Sequence, residues 1–496
     1  MMKKQVSNST KAFFGLGSLA AGIKENAFGV FLIFFYTQVV GLSGSLAGAA
    51  VLCALIFDAI SDPLVGHWSD NFSSKWGRRH PFMYASVIPV ALCFYCLFSP
   101  PTDMSQGLTF LWMVVFAVGI RLSITFYVIP SSSMMPEMTT DYNERTQLTS
   151  IRVIFSWVGA ILISYLAYSW LFIPSAEFED GRFDINAYKI YGLVGAIAIL
   201  LSILISTLGT HRLIPQLQKG SQKGFSFKHF FQDFAVMLKN KTFVILFVSV
   251  LVASISSGVL DVFTLYINTY FWGFSSQDLS KLLIGSALGA IIAFVGIKFL
   301  GRKFDKKHMF MAFVVMAIVF GPIPVAFRLL GLVPENGTPF ILFLIMGSSL
   351  FTVLSGVGAI VLAGSMLADT IDLQYLETGQ RQEGLHYSAF AFSAKATTGL
   401  GGFIGGVTLD LISFPKEVSI EAISPQALTS LGIANVLLVS ISLGATLFLI
   451  SKYSLTKEKH AQIVKELQQL KQQPQTSQLG KSPKGLDQNT DIVAPT

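Results

Sequence analysis

The chain has 496 residues, of which 52% are hydrophobic types and only 13% are charged, with a formal net charge of +7 and a mean hydropathy of +0.61. Soluble domains carry about 25% charged residues, so a water-soluble enzyme this apolar would expose very large patches, and a disordered chain needs the opposite composition. The basic residues are scattered between apolar runs instead of gathered on one face, which excludes a nucleic-acid partner.

A helix crosses the hydrocarbon core with about 20 apolar residues. Runs of that kind predict twelve spans, near 13–40, 45–68, 82–100, 107–133, 150–173 and 190–211, then 242–272, 279–300, 308–330, 339–367, 385–414 and 426–451. The predicted fold class is therefore an all-α polytopic membrane protein, because open sheet edges cannot be satisfied in lipid. The basic start MMKKQVSNSTK precedes a long run with Lys24 and Glu25 and no small-residue cleavage site, so it reads as a retained first span.

Span 2 carries Asp58 and Asp62, four residues apart and so on one helix face. Two carboxylates there repel unless a proton, a cation or a basic side chain intervenes. They read either as a site for H⁺ or Na⁺ or as structural ion pairs with Arg152 or Lys395; Asp62–Pro63 also reads as a helix-ending device. Gly66, Asp70, Arg78 and Arg79 close the span on its basic side and form a candidate cytoplasmic gate. Cys93 and Cys96 form a CxxC inside span 3 with no second pair, so packing cysteines are expected.

Arg121 lies in span 4, Arg152 in span 5, Asp261 in span 7 and Lys395 in span 11. With Lys24, Glu25, Asp58 and Asp62 they make eight ionisable groups, four of each sign. Such groups are costly in lipid and mark functional sites by default; their number predicts a polar cavity between helices. Lys24 and Glu25 also suit a local ion pair. In span 11 the stretch TTGLGGFIGG (397–406) follows Lys395, and His386 is expected in a polar contact or a proton relay.

The divider is 212–241, a linker whose Phe227, Phe230, Phe231 and Phe234 fall on one stripe of an amphipathic interfacial helix. Domain boundaries follow: a six-helix bundle at 1–211, the linker at 212–241, a second bundle at 242–452 and a cytoplasmic tail at 453–496, with a short helix at 456–472 and disorder beyond. A weak echo relates the halves: Gly66, Asp70 and Gly77-Arg78-Arg79 against Gly296, Gly301-Arg302-Lys303 and Asp305. Parallel six-span repeats are a transporter plan. About 25 of the 35 basic residues fall with both termini and the even-numbered loops, which places the termini in the cytoplasm. There is no HExxH, P-loop or GxSxG, so no enzyme, ATP drive or cofactor is expected. A channel, which would gather filter segments, and a sensor are the remaining alternatives.

FDAISDPLVGHWSDNFSSKWGRRHPF (57–82), FFYTQVVGLSG (34–44), YVIPSSSMMPEMTTDYNERTQLTSIR (127–152) and LADTIDLQYLETGQRQEGLHYSAFAFSAK (367–395) resemble the melibiose-permease-like glycoside–pentoside–hexuronide:cation symporters of the major facilitator superfamily. The resemblance covers nearly all of 13–451 and implies the twelve-helix major facilitator fold, alternating access and coupling to Na⁺, Li⁺ or H⁺. It implies that Asp58, Asp62 and Thr125 hold the cation, and that Arg152 and Lys395 line the cavity. The family member that takes melibiose has acidic residues where this chain aligns Gly22, with Glu25 nearly one turn on, and Val128, and a tryptophan where it aligns Ser132. Arg121 replaces a small residue and suits an acidic or phosphorylated ligand. The expected function is cation-coupled symport of a sugar or glycoside by a monomer in a bacterial inner membrane, where the sequon at Asn336 has no role. The alternative solute is a lysophospholipid or another amphipathic or anionic molecule, since eukaryotic lysophospholipid symporters resemble the same segment. Glu25, Arg121, Val128, Ser132, Arg152, Asp261 and Lys395 are the expected cavity and coupling residues.

Overall fold

The computed structural model describes residues 6–139, 141–216, 238, 240–378, 383–417 and 420–472. Its long helices are α1 (Asn8–Val39), α2 (Gly44–Asn71), α3 (His80–Leu97), α4 (Gln106–Met138), α5 (Tyr142–Leu166) and α6 (Ile185–His211). They continue as α7 (Lys241–Phe271), α8 (Ser276–Lys303), α9 (Lys306–Leu329), α10 (Pro339–Thr378), α11 (Glu383–Leu411) and α12 (Pro425–Ser451). A short α13 (Lys457–Gln472) follows, where a tail helix was expected. The amphipathic stripe at 227–234 and the tail beyond 472 lie outside the described residues.

The helices begin where side chains capture the free N–H groups of the first turn. Ser43, Ser105, Asp141, Asp184, Asn240, Asp305 and Ser424 do this for α2, α4, α5, α6, α7, α9 and α12. Pro63 does not end α2; the helix runs through it to Asn71. Packed membrane helices tolerate that, because neighbours can satisfy the freed carbonyl. Wide π turns interrupt α1 at Ala27–Phe31 and Phe35–Val39 and close α5 at Ala167–Leu171 and α7 at Ile267–Phe271.

Among the described residues, eleven of the twelve long helices α1–α12 are long and apolar enough to cross a bilayer. The exception is α11, whose 29 residues reach about 44 Å at 1.5 Å per residue. Lys395 and the Thr- and Gly-rich run after it lower its hydropathy below that of its neighbours.

Within α1–α6 the main contacts are α1 with α5 and α6, α2 with α4, and α3 with α4 and α6. Within α7–α12 they are α7 with α11 and α12, α8 with α10, and α9 with α10 and α12. The halves meet along α2–α11, α5–α8 and α1–α7. Bare backbone makes the α2–α11 seam close: a Cβ on Gly48 would lie 2.8 Å from the Cα of Phe403, and one on Gly406 would lie 3.3 Å from the Cα of Gly48. On its other side α11 abuts α7, where a Cβ on Gly401 would lie 2.9 Å from the Cα of Gly258. Exposed Ile88, Leu111, Leu208, Ile291, Ile360 and Ile441 lie on outer faces, as a lipid-facing belt requires.

Candidate functional site

Asp58 and Asp62 stand one turn apart on the face of α2 that meets α4 and α11. Asp58 is 2% exposed. Arg121 of α4, itself 3% exposed, donates from Nη1 to Asp58 Oδ2 at 3.1 Å. Lys395 Nζ of α11 lies 2.6 Å from Asp62 Oδ2 and 3.2 Å from Asp58 Oδ2. Thr125 Oγ1 is 3.1 Å from Asp58 Oδ1 and 3.0 Å from Asp62 Oδ1. A hydroxyl has one proton, so Thr125 donates to one carboxylate at a time. The cluster thus joins two carboxylates to two tethered cations, and its charges cancel locally.

Beside it lies a cavity of about 230 Å³. Its polar wall consists of Glu25 from α1, Arg121 from α4, Asp261 from α7, and Lys395 and Thr398 from α11. Phe28 covers one side of Arg121, whose guanidinium carbon sits 4.5 Å from the ring centroid. Glu25 is ion-paired with Lys24, which is 4% exposed. Asp261 faces the bare backbone of Gly29: a Cβ there would come within 3.4 Å of Asp261 Cγ. Among the described residues no hydrogen bond or ion pair reaches Asp261.

Three expected cavity residues stand elsewhere. Arg152 donates to Ser132 Oγ at 2.8 Å and Ser18 Oγ at 3.4 Å, and its guanidinium lies 5.3 Å from the Phe14 ring centroid. Ser132 in turn donates to the Val128 carbonyl at 2.6 Å. Arg152, Ser132 and Val128 are absent from the cavity wall; Arg152 is held instead by Ser132 and by Ser18 of α1. Gly22 admits no side chain, since a Cβ would lie 2.7 Å from the carbonyl carbon of Ser156.

The gate residues also differ from expectation. Asp70 approaches Arg79 at 3.4 Å and Arg78 at 3.8 Å, and both arginines pair with Glu137 of α4, Arg79 at 2.6 Å. These pairs of Asp70, Arg78 and Arg79 fasten α2 and its following loop to α4 within one half. They are therefore not contacts that separation of the halves breaks. Gly66 lies beside Ile129 of α4, with room for a Cβ at 3.5 Å. His386 bonds to Gln374 at 2.8 Å in a polar contact.

Contacts between the halves at the end of the bundle away from the chain termini were not anticipated. Arg182, fully buried in the α5–α6 loop, donates to Thr269 Oγ1 and to the Phe274 carbonyl, each at 2.6 Å. Its Nε bonds to both oxygens of Asp180 at 2.9 Å. Gln38 accepts from the Tyr270 hydroxyl at 2.8 Å and donates to the Pro415 carbonyl at 3.2 Å. Asp410 of α11 accepts from the N–H groups that open α2. The D-G-R of 180–182 was the available signal, but a loop motif does not announce its partner.

A family described as MFS/sugar transport protein matches residues 13–457. The isoprimeverose transporter of Lactiplantibacillus pentosus is 26% identical, with 93% of each chain covered. The putative glycoside/cation symporter YagG of Escherichia coli (strain K12) is 25% identical over 93% of this chain and 95% of its own. The sodium-dependent lysophosphatidylcholine symporter 1 of Xenopus tropicalis is 24% identical over 95% of this chain and 91% of its own. In fold, the crystal structure of the nucleoside transporter NupG superposes with a TM-score of 0.60 at 15% identity, covering 90% of this chain and all of that one. The helix order, the three seams between halves and the family match over residues 13–457 agree. The chain is an integral membrane transporter, not an enzyme, and belongs to the MFS/sugar transport protein family.

Proposed function

We propose that the protein is a cation-coupled symporter that carries a small sugar or glycoside by alternating access, as a monomer without cofactor, in a bacterial inner membrane. The observation that carries this reading is the cavity walled by both halves, with Glu25 and Arg121 from one and Asp261 and Lys395 from the other. Rocking about such a site exposes it to either side in turn. Its volume of about 230 Å³ falls below the ~300–1,000 Å³ of sites for drug-sized ligands, which favours a polar solute of sugar size over a lysolipid. Paired carboxylates and cations can accept from and donate to sugar hydroxyls.

The basic loops favour cytoplasmic termini. On that orientation the Asp180–Arg182, Gln38 and Asp410 contacts close the extracellular end. The test is counterflow in proteoliposomes with a panel of radiolabelled pentoses, hexoses, disaccharides and glucuronides. Saturable exchange of one of them is expected. Conductance without counterflow points to a channel, and binding without exchange to a sensor; either sinks the symporter reading.

A further inference from the structure

We propose that Arg121 is a tethered substitute for a metal coupling cation at Asp58, and that the mobile coupling charge is a proton held on Asp261. The proposal rests on the symporter reading above and names its ion. The argument starts from charge. Around the cavity four carboxylates, Glu25, Asp58, Asp62 and Asp261, face three cations, Lys24, Arg121 and Lys395. An uncompensated charge inside the membrane is costly, so the set needs one more positive charge.

The position of the deficit follows from the contacts. Glu25 has Lys24. Asp58 has Arg121 at 3.1 Å and Lys395 at 3.2 Å, and Asp62 has Lys395 at 2.6 Å. Thr125 spends its one proton between the same two carboxylates. A Na⁺ ion at Asp58 and Asp62 would face two cations at hydrogen-bond distance from its ligands, so the residues present do not fit a metal ion. Only Asp261 lacks a compensating partner among the described residues. It opens onto the cavity across the bare backbone of Gly29. The charged groups that face it are Glu25 with Lys24 on α1, Arg121 on α4 and Lys395 on α11. Of these, Glu25 repels a negative Asp261, and the three cations are already paired. A proton on Asp261 balances the set without a coordination shell. Each side of the membrane can exchange that proton when the cavity opens to it, and the protonated carboxyl then donates to a substrate oxygen, so that proton and substrate each favour the other's binding.

The test uses the purified full-length protein in nanodiscs and needs no substrate. Sodium is titrated calorimetrically against wild type, Asp58→Asn, Arg121→Gly and Arg121→Gly/Asp58→Asn, each checked for a cooperative thermal transition. The expected result is no saturable Na⁺ heat in wild type, saturable heat in Arg121→Gly and its loss in the double variant. Saturable Na⁺ binding by wild type that Asp58→Asn removes overturns the proposal. So does a folded Arg121→Gly that stays silent to Na⁺. For Asp261, infrared difference spectra across pH are expected to show a protonated-carboxyl carbonyl band that Asp261→Asn deletes; a band unchanged in that variant also overturns it. Failure of counterflow with every solute overturns the symporter reading instead, and these two measurements are independent of it.

Discussion

The carboxylate of Asp410 sits on the opening N–H of α2: Oδ2 accepts from Ser45 at 2.7 Å, and Oδ1 accepts from Gly44 at 2.9 Å. Ser43 already caps this helix through Leu46. Asp410 therefore adds a second acceptor, a charged one, at the positive end of the helix dipole. It does so from the other half of the molecule. Its charge fastens α11 to α2 only while this end is closed.

Asp410→Ala is expected to weaken closure by about 0.5–2 kcal/mol, the range for losing a helix cap, and so to shift the closed-to-open ratio by roughly 2- to 30-fold. The measurement is the labelling rate of a cysteine placed at Gln38, in a background without Cys53, Cys93 and Cys96, using a membrane-impermeant thiol reagent. An unchanged rate would remove Asp410 from the closure.

Arg182→Gln leaves Asp180 without its guanidinium partner. Removing one member of a buried pair typically costs about 3–5 kcal/mol, so a clear drop in thermal stability and faster thiol labelling at the same end are expected. The double variant Asp180→Asn/Arg182→Gln is expected to recover part of the loss, because it leaves no unpaired carboxylate. If the double variant is as unstable as the sum of the single ones, the pair carries no coupling.

Lys395→Ala strips Asp62 of its 2.6 Å partner and leaves Asp58 with Arg121 alone. Counterflow is expected to fall at least about tenfold, a barrier change of roughly 1.4 kcal/mol, while the protein still inserts. Adding Asp62→Asn is expected to restore part of the exchange by removing the uncompensated charge. Wild-type exchange in Lys395→Ala would return that residue to a packing role.

Gly48→Val tests the α2–α11 seam. A Cβ would lie 2.8 Å from the Phe403 Cα, a backbone atom that cannot swing away. Overpacking of this kind costs about 1–3 kcal/mol, and closure is expected to be lost together with exchange. Gly107→Ala is the control: nothing lies within 4 Å of its Cβ, and no change is expected.

The spans were legible because hydropathy and length are local properties, and the carboxylate face because four residues bring a helix back to one side. What stayed hidden depends on the rotation of one helix against another. The sequence offered Arg152 or Lys395 as partners for Asp58 and Asp62. Lys395 does pair with both, but the rotation of α4 brings Arg121 to Asp58 in place of Arg152, which Ser132 and Ser18 engage. Pro63 suggested a helix end, yet tertiary packing carries α2 through it. Lys24 and Glu25 were legible as a local pair because they are adjacent in the chain. Asp180, Arg182 and Asp410 did not announce their partners, since a polar residue near a span end usually meets water.

The low hydropathy of α11 also bears on how the protein is made. A segment with Lys395 at its middle and a run of Thr and Gly gains little from lipid on its own; a lysine near a helix centre costs about 2.5–3.5 kcal/mol at the translocon. During synthesis α11 therefore has to partition against α2 and α7, which are already in place and offer carboxylates and bare backbone. An isolated α11 in a reporter fusion should insert poorly, and the same segment behind α1–α10 should insert well. The helix that both halves share would then be one that neither the bilayer nor its own composition can hold in place.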